Sequence, residues 1–332
     1  MRFALNEDQQ MVADAAREYL GRLPGARALL EGQEPVPEGW AGMVEEQSWP
    51  ALMVPEDCDG FGFDQVSAGV VLEELGRSLV PAPFLGTAWA TAALLECPVG
   101  EARDAALARI AAGEPAAVCW DTGVVVDGEA ATQVVCVREE GVVLAEALNA
   151  QKHPALDPSR SLAAVELGEQ QPMAGASVVP LVRARAMALL ACECVGVAEA
   201  TLDLAVDYAK VRSQFGGPIG RFQAVQHLCA DMLVHVESAR SAAWYAAWFT
   251  CPQANPDRTT VEALSAGRTA LCTATEAAMA CAGTSIQVHG GIGFTWEHAC
   301  HLYFKRARVN QTLLGEPKRH RAELAARLLG AI

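Results

Sequence analysis

The sequence has little positive charge: 25 lysines and arginines stand against 40 aspartates and glutamates, giving a formal net charge of -15 at pH 7 over 332 residues. A field of that sign repels phosphate backbones and anionic lipid surfaces, which argues against nucleic acid as a partner. No window reaches the roughly 18 uncharged apolar residues that a spanning helix requires. Residues 1–20 carry Glu7, Asp8, Asp14 and Glu18 among their apolar positions, with no basic start and no uninterrupted apolar stretch, so no export signal is expected and the chain reads as cytoplasmic. The eleven cysteines show neither C-x-x-C nor Cys/His zinc spacing. Their odd number, and the apolar helical settings of Cys192, Cys194, Cys229, Cys272 and Cys281, indicate reduced core thiols and no metal centre. Internal repeats and low-complexity segments are lacking too.

What is present is helical at both ends. Asn6 can cap a helix whose first turn holds Glu7 and Asp8, and Met11, Val12, Ala15 and Leu20 follow at helical spacing. Gly39–Gln47 is a second helical stretch, VPEDCDGFGFD a turn-rich break, and Val66–Gly76 a third stretch that PAPF stops. Another amphipathic helix is expected over Glu101–Gly113. The runs AAVCW, GVVV, TQVVCV, GVVLAEAL, SLAAVEL and SVVPLV are then short, β-branched and separated by turn residues, as strands are. Long helical patterns return after Arg183. The expected fold is therefore mainly α with a small β domain: a helical domain over 1–114, a β domain over 115–180 and a helical bundle over 181–332.

Two interruptions of the last region combine residue types with chemical uses. In RSQFGGPIGRFQAVQHLCADM, residues 212–232, a guanidinium fork, amides, an aromatic ring and glycines would suit a nucleotide pyrophosphate and a purine, although an interhelical turn can hold the same residues. In QVHGGIGFT, residues 287–295, the glycines follow a helix instead of a strand, so this is no strand-turn-helix dinucleotide fingerprint; alone it reads as a helix C-cap and tight turn.

Taken together, R-x-Q-F-G-x-P-I-x-x-F-Q-x-x-Q-x-x-x-A-D-M, then Q-x-H-G-G-x-G-F-T-x-E, then Y-x-x-R-A resemble the carboxy-terminal helical domain of the acyl-CoA dehydrogenases. Upstream, NEDQQMVADAAREYL resembles that family's first helix, VPEDCDGFGFD its Pro-Glu-x-x-Gly-Gly turn and EELGRSLVPAPF the end of its amino-terminal domain. The resemblance implies FAD as cofactor and a tetramer-forming four-helix bundle. It places Arg212 on the FAD pyrophosphate, Gln214, Phe215 and Gln223 at the adenosine end, and Gln287, Gly290 and Gly291 where backbone approaches the pyrophosphate. These groups are implied to reach a flavin bound mainly by the neighbouring subunit.

The chain departs from the family where a flavin ring and an acyl thioester would be held. The Thr-Glu-Pro-x-x-Gly-Ser and Trp-Ile-Thr segments are missing, AAVCWDTGVVVDGE standing in place of the first, and the β region is short. Family chemistry removes an α-proton with a carboxylate while the β-hydrogen leaves to the flavin. Aligning Arg306-Ala307-Arg308-Val309-Asn310-Gln311 with the segment before the usual glutamate puts Leu314 on that glutamate and Gly315 on its glycine. The alternative position, on the first helix of the last domain, falls on Ala186. Glu193, two turns further along the same face, is the one local carboxylate that could substitute, and Glu316 reads as a helix entrance. His289, His298 and His301 are expected to serve packing, Trp244 and Trp248 to be core or interface aromatics, Glu237 and Arg240 to pair, and Lys318–Arg321 to form a solvated face.

The resemblance is strongest to the short subunits of heterotetrameric actinobacterial enzymes acting on steroid side-chain CoA thioesters. It implies a longer acyl-CoA dehydrogenase partner, an acyl-CoA substrate and an electron-transferring flavoprotein as acceptor. A self-sufficient homotetrameric enzyme with a non-standard base and a non-catalytic structural relative are the alternatives.

Overall fold

The computed structural model describes residues 4–32, 38–120 and 123–330. The amino-terminal part contains α1 (Glu7–Arg22), α2 (Gly25–Leu30), α3 (Glu38–Glu45), α4 (Gln65–Ser78), α5 (Phe84–Leu95) and α6 (Glu101–Ala111). At the start of α1, Asn6 Oδ1 accepts from the Gln9 amide at 2.8 Å while Gln9 Oε1 accepts from the Asn6 amide at 3.0 Å. This reciprocal box satisfies two donors that a bare helix end would leave unpaired. Asp64 caps α4 through the Ser67 amide at 3.1 Å.

At two places the structure goes beyond or against the local reading, for physical reasons. PAPF ends one helix but also begins α5, whose sequence FLGTAWATAALL is buried along all but its last residue. A helix surrounded by protein needs no polar face and so shows no stripe. SVVPLV forms no strand: residues 176–178 make a short 3-10 turn, and α7 (Val179–Val211) starts with Pro180 in its first turn. There the fixed φ of proline and its missing amide suit a helix start, which outweighs the β-branched composition.

The sheet contains β1 (Ala116–Cys119), β2 (Val125–Val126), β3 (Gln133–Arg138), β4 (Gly141–Lys152) and β5 (Leu162–Gly175) in the order β1-β3-β4-β5-β2. β1 runs parallel to β3, and the remaining pairs are antiparallel. Gln133–Val137 of β3 is fully buried, whereas the ends of β4 and β5 reach solvent.

Beyond the sheet, α7 leads into a hairpin of β6 (Ser213–Gln214) and β7 (Gly217–Pro218), then α8 (Gln223–Thr250), α9 (Thr260–His289), α10 (Cys300–Thr312) and α11 (Pro317–Leu328). α7, 33 residues long, is the central strut, with α4, α8 and α9 packed along it. Glycine sets the approach of α4: a Cβ at Gly196 would lie 1.7 Å from the Glu73 carbonyl oxygen, and one at Gly76 would lie 2.1 Å from that of Glu193. The described chain is thus mainly α with one small five-stranded sheet and the short β6–β7 hairpin, in keeping with the sequence reading. Among the described residues, no helix is long and apolar enough to cross a membrane.

Candidate cofactor-facing surface

The residues selected by sequence fall on two exposed segments at the same end of α7 and α9. Arg212 follows α7, and its amide still bonds to the Tyr208 carbonyl at 2.9 Å. His289 ends α9 immediately before Gly290. The Tyr208 and His289 rings stack at 4.3 Å between centroids and 27° between planes, joining the two segments.

Ser213 pairs with Pro218 and Gln214 with Gly217 across the hairpin, leaving Phe215 and Gly216 as a two-residue turn with φ of +51° and +84°. Two successive positive φ angles match the right-handed twist of a tight hairpin, but the first falls on a bulky residue that avoids this region. Phe215 is also 86% exposed, so no core packing explains it. Arg221, which sequence reasoning did not single out, holds the turn: its Nη2 donates to the Phe215 carbonyl at 2.6 Å and its guanidinium lies 5.0 Å from the Phe222 ring centroid. Only the second arginine of the quoted stretch hinted at that role.

Arg212 is exposed, and none of the described ion pairs uses its guanidinium. Gln214, Gln223 and Gln287 are exposed as well, Gln223 being the first residue of α8. Gly290 adopts φ +64° and ψ -139°, a conformation effectively reserved for glycine. Apart from the adjoining residues, no atom of the described chain lies within 4 Å of a Cβ built on Gly290 or Gly291. Nothing inside this subunit demands the small residue at 291, so the free space faces outward.

The positions considered for a base lie elsewhere. Ala186 is buried, and its carbonyl accepts from Trp89 Nε1 at 3.0 Å. Leu314 sits at φ +60° and lines a cavity of about 280 Å³ with Met187, Leu264 and Arg268. Glu193, 2% exposed, is enclosed by an ion-pair network: Arg160 Nη2 donates to it at 2.5 Å, Arg306 Nη1 at 2.6 Å and Asn310 Nδ2 at 3.1 Å. Arg306 also pairs with Asp157, whose Oδ1 accepts from the Ser159 hydroxyl at 2.5 Å. Burial alone would raise the Asp157 carboxyl, but Arg306, Ser159 and Arg160 together hold it below the usual carboxylate value. The junction of the β4–β5 loop with α7 and α10 is therefore closed by paired charges.

Glu237 and Arg240 do pair, and Arg240 also reaches Glu73 at 2.9 Å and Glu199 at 3.1 Å, tying α8 to α4 and α7. Trp244 Nε1 donates to Glu73 at 3.0 Å, and Trp248 joins Tyr245 and Phe249 in an aromatic cluster. The histidines group differently from their spacing: His298 meets His289 and Cys300, while His301 lies against Trp296 at 4.4 Å.

Residues 6–114 match the description "Acyl-CoA dehydrogenase, N-terminal domain" and residues 180–329 match "Acyl-CoA dehydrogenase, C-terminal domain". Acyl-CoA dehydrogenase IpdE2 of Mycobacterium tuberculosis is 36% identical over 317 residues, covering 94% of both chains. This chain belongs to the acyl-CoA dehydrogenase family. That makes it an oxidoreductase acting on acyl-CoA in class. Acyl-CoA dehydrogenase FadE34 of the same organism is 38% identical over 284 residues, which cover 80% of this chain and 38% of that much longer one. Among solved structures, a Tcur3481-Tcur3483 steroid ACAD variant superposes with a TM-score of 0.85 at 23% identity over 98% of both chains. The ChsE4-ChsE5 complex from M. tuberculosis gives 0.84 at 23% identity over 99% of both. These two likenesses are of fold.

Proposed function

We propose that this chain is the shorter subunit of a flavin-dependent acyl-CoA dehydrogenase. In this reading residues 181–332 lend pyrophosphate and adenosine contacts to an FAD held chiefly by a longer related partner. The observation that carries the proposal is an unpaired, outward-facing Arg212 in an acidic chain, joined through the Tyr208–His289 stack to an open Gly290–Gly291 surface. A diphosphate crossing the interface would meet a charged fork, and backbone could approach it closely. Gln214, Phe215, Gln223 and Gln287 are free to bond or stack along the adenosine end.

The catalytic carboxylate is assigned to the partner. Leu314 and Ala186 cannot take a proton, and the oxygens of Glu193 are used by two guanidiniums and an amide. This weighs against a self-sufficient enzyme built on Glu193. Bound at the shared site, FAD would supply the acceptor for the β-hydrogen of the acyl thioester. The naming of a similar structure as a steroid ACAD supports a bulky steroid-derived CoA thioester as substrate. An electron-transferring flavoprotein would take the electrons. The ChsE4-ChsE5 complex supports an assembly of two different subunits, which in this reading is a heterotetramer.

The test is a visible spectrum of the chain purified alone and after co-expression with an acyl-CoA dehydrogenase homologue encoded beside it. The expected result is a colourless lone chain and a larger, yellow complex. In that complex Arg212→Ala should weaken flavin retention by about 10- to 100-fold, the range for a hydrogen bond to a charged group, without altering the melting temperature of this chain. A yellow, active lone chain would overturn the shared site. Unchanged flavin content in the Arg212→Ala complex would favour a structural relative that had lost the cofactor contact.

A further inference from the structure

We propose that His289, His298 and Cys300 form a binding site for a transition-metal cation of the zinc type where α9 meets α10. One donor atom from each lies within 4.8 Å of the others. Cys300 Sγ is 3.1 Å from His298 Nδ1 and 3.4 Å from His289 Nδ1. Around a tetrahedral zinc with Zn–S near 2.3 Å and Zn–N near 2.0–2.1 Å, neighbouring donors stand about 3.3–3.6 Å apart. Both separations from Cys300 Sγ are therefore within about half an ångström of that geometry, and the two imidazole donors lie within 4.8 Å of each other.

Its chemistry is selective. One thiolate and two imidazoles, with no carboxylate in the group, suit zinc, cobalt or copper and not magnesium or calcium. Cys300 is fully buried and His289 is 4% exposed, so water competes weakly for their donors, while the half-buried His298 leaves a path for entry. His289 Nδ1 lies 2.7 Å from the Ser285 carbonyl oxygen, and its buried Nε2 has no hydrogen-bond partner. Ligation by Nδ1 would place the ring proton on Nε2, and a water entering past His298 would complete four-coordination. Binding exchanges the Cys300 thiol proton for the metal and so releases one proton to solvent.

The surroundings fix the ligands. Tyr208 stacks on His289 and meets His298 edge-on at 6.5 Å, and the Ser285 hydroxyl lies 3.7 Å from Cys300 Sγ. Outer contacts of this kind orient metal ligands. A bound ion would tie the end of α9 to the start of α10, and through the Tyr208 ring stacked on His289 it would brace both the Arg212 turn and the Gly290–Gly291 segment. The site stands on its own geometry and does not depend on flavin binding there.

The test uses the full chain, stripped with a chelator and titrated with cobalt(II), then zinc(II). Expected are intense tetrahedral ligand-field bands and a thiolate-to-cobalt charge-transfer band, saturating at one equivalent and abolished by zinc. Cys300→Ser should remove the charge-transfer band, and His298→Gln should weaken binding at least about tenfold. His298→Gln decides alone if Cys300→Ser fails to fold by circular dichroism. No charge-transfer band in the parent chain, or a band of equal strength and affinity in either folded variant, would overturn the site.

Discussion

Asp127 shows how one residue can hold opposing demands. It follows β2 at φ +60°, is 4% exposed, and accepts from the Gly86 amide at 2.9 Å through Oδ2. Burial pushes its carboxyl up to about 6, even with the Arg160 charge and the Gly86 hydrogen bond pulling it down. Because the folded value lies above the unfolded one of about 3.9, its contribution to stability is fully present below that unfolded value and is lost as pH rises through about 6. An asparagine side chain at this position would keep an acceptor for Gly86, tolerate the left-handed backbone and carry no charge. Asp127→Asn should therefore gain on the parent protein between about pH 4 and pH 7, by on the order of 1–3 kcal/mol, and no further above that. Melting temperatures of both proteins across that range test this; a pH-independent difference would refute it.

At the level of elements, the decisive feature is the α4–α7 crossing. Gly69 and Gly76, one heptad apart on α4, face Cys192 and Glu193 of α7, and Gly196 of α7 faces the Glu73 backbone. Since backbone cannot move aside as a side chain can, Gly196→Ala must separate the helices, at a cost of about 1–3 kcal/mol or more. Chemical denaturation should show a lower midpoint with an unchanged slope, and an unaltered midpoint would show that the helices yield freely. The same crossing marks what the sequence made legible. The capped start of α1 and the β-branched runs of the sheet follow local rules, and the Arg212 and Gly290–Gly291 segments stand out by their residue order. The wholly buried α5 has no periodicity, however, and the network of Arg160, Asp157, Glu193 and Arg306 joins residues up to 149 positions apart. No local rule reaches that far. Glu193 accordingly looked like a spare carboxylate in sequence and is a structural anion in the fold.

The whole molecule couples a strongly acidic surface to an uncovered apolar one. Along α8, Leu233 and Val234 are 50% and 65% exposed although Met232 and Val236 of the same turns are buried. One face of this helix thus packs on α7 and α9 while another meets no element among the described residues. It begins one residue after Phe222, which the exposed Phe215 meets edge-on. These two exposed apolar side chains, on the helix that follows the Arg212 hairpin, are where the longer partner would seat under the proposed function. Leu233→Glu combined with Val234→Glu should leave the lone chain's stability within about 0.5 kcal/mol, because both side chains are already in water. In the complex the same change would bury two carboxylates without partners, in addition to the repulsion expected from a chain of net charge -15. Co-purification should fall by about 30-fold or more, with flavin lost in parallel, when read by light scattering and absorbance on one chromatographic run. If assembly survives while flavin is lost, α8 contacts the cofactor and not the partner; if both survive, the partner seats on a different face.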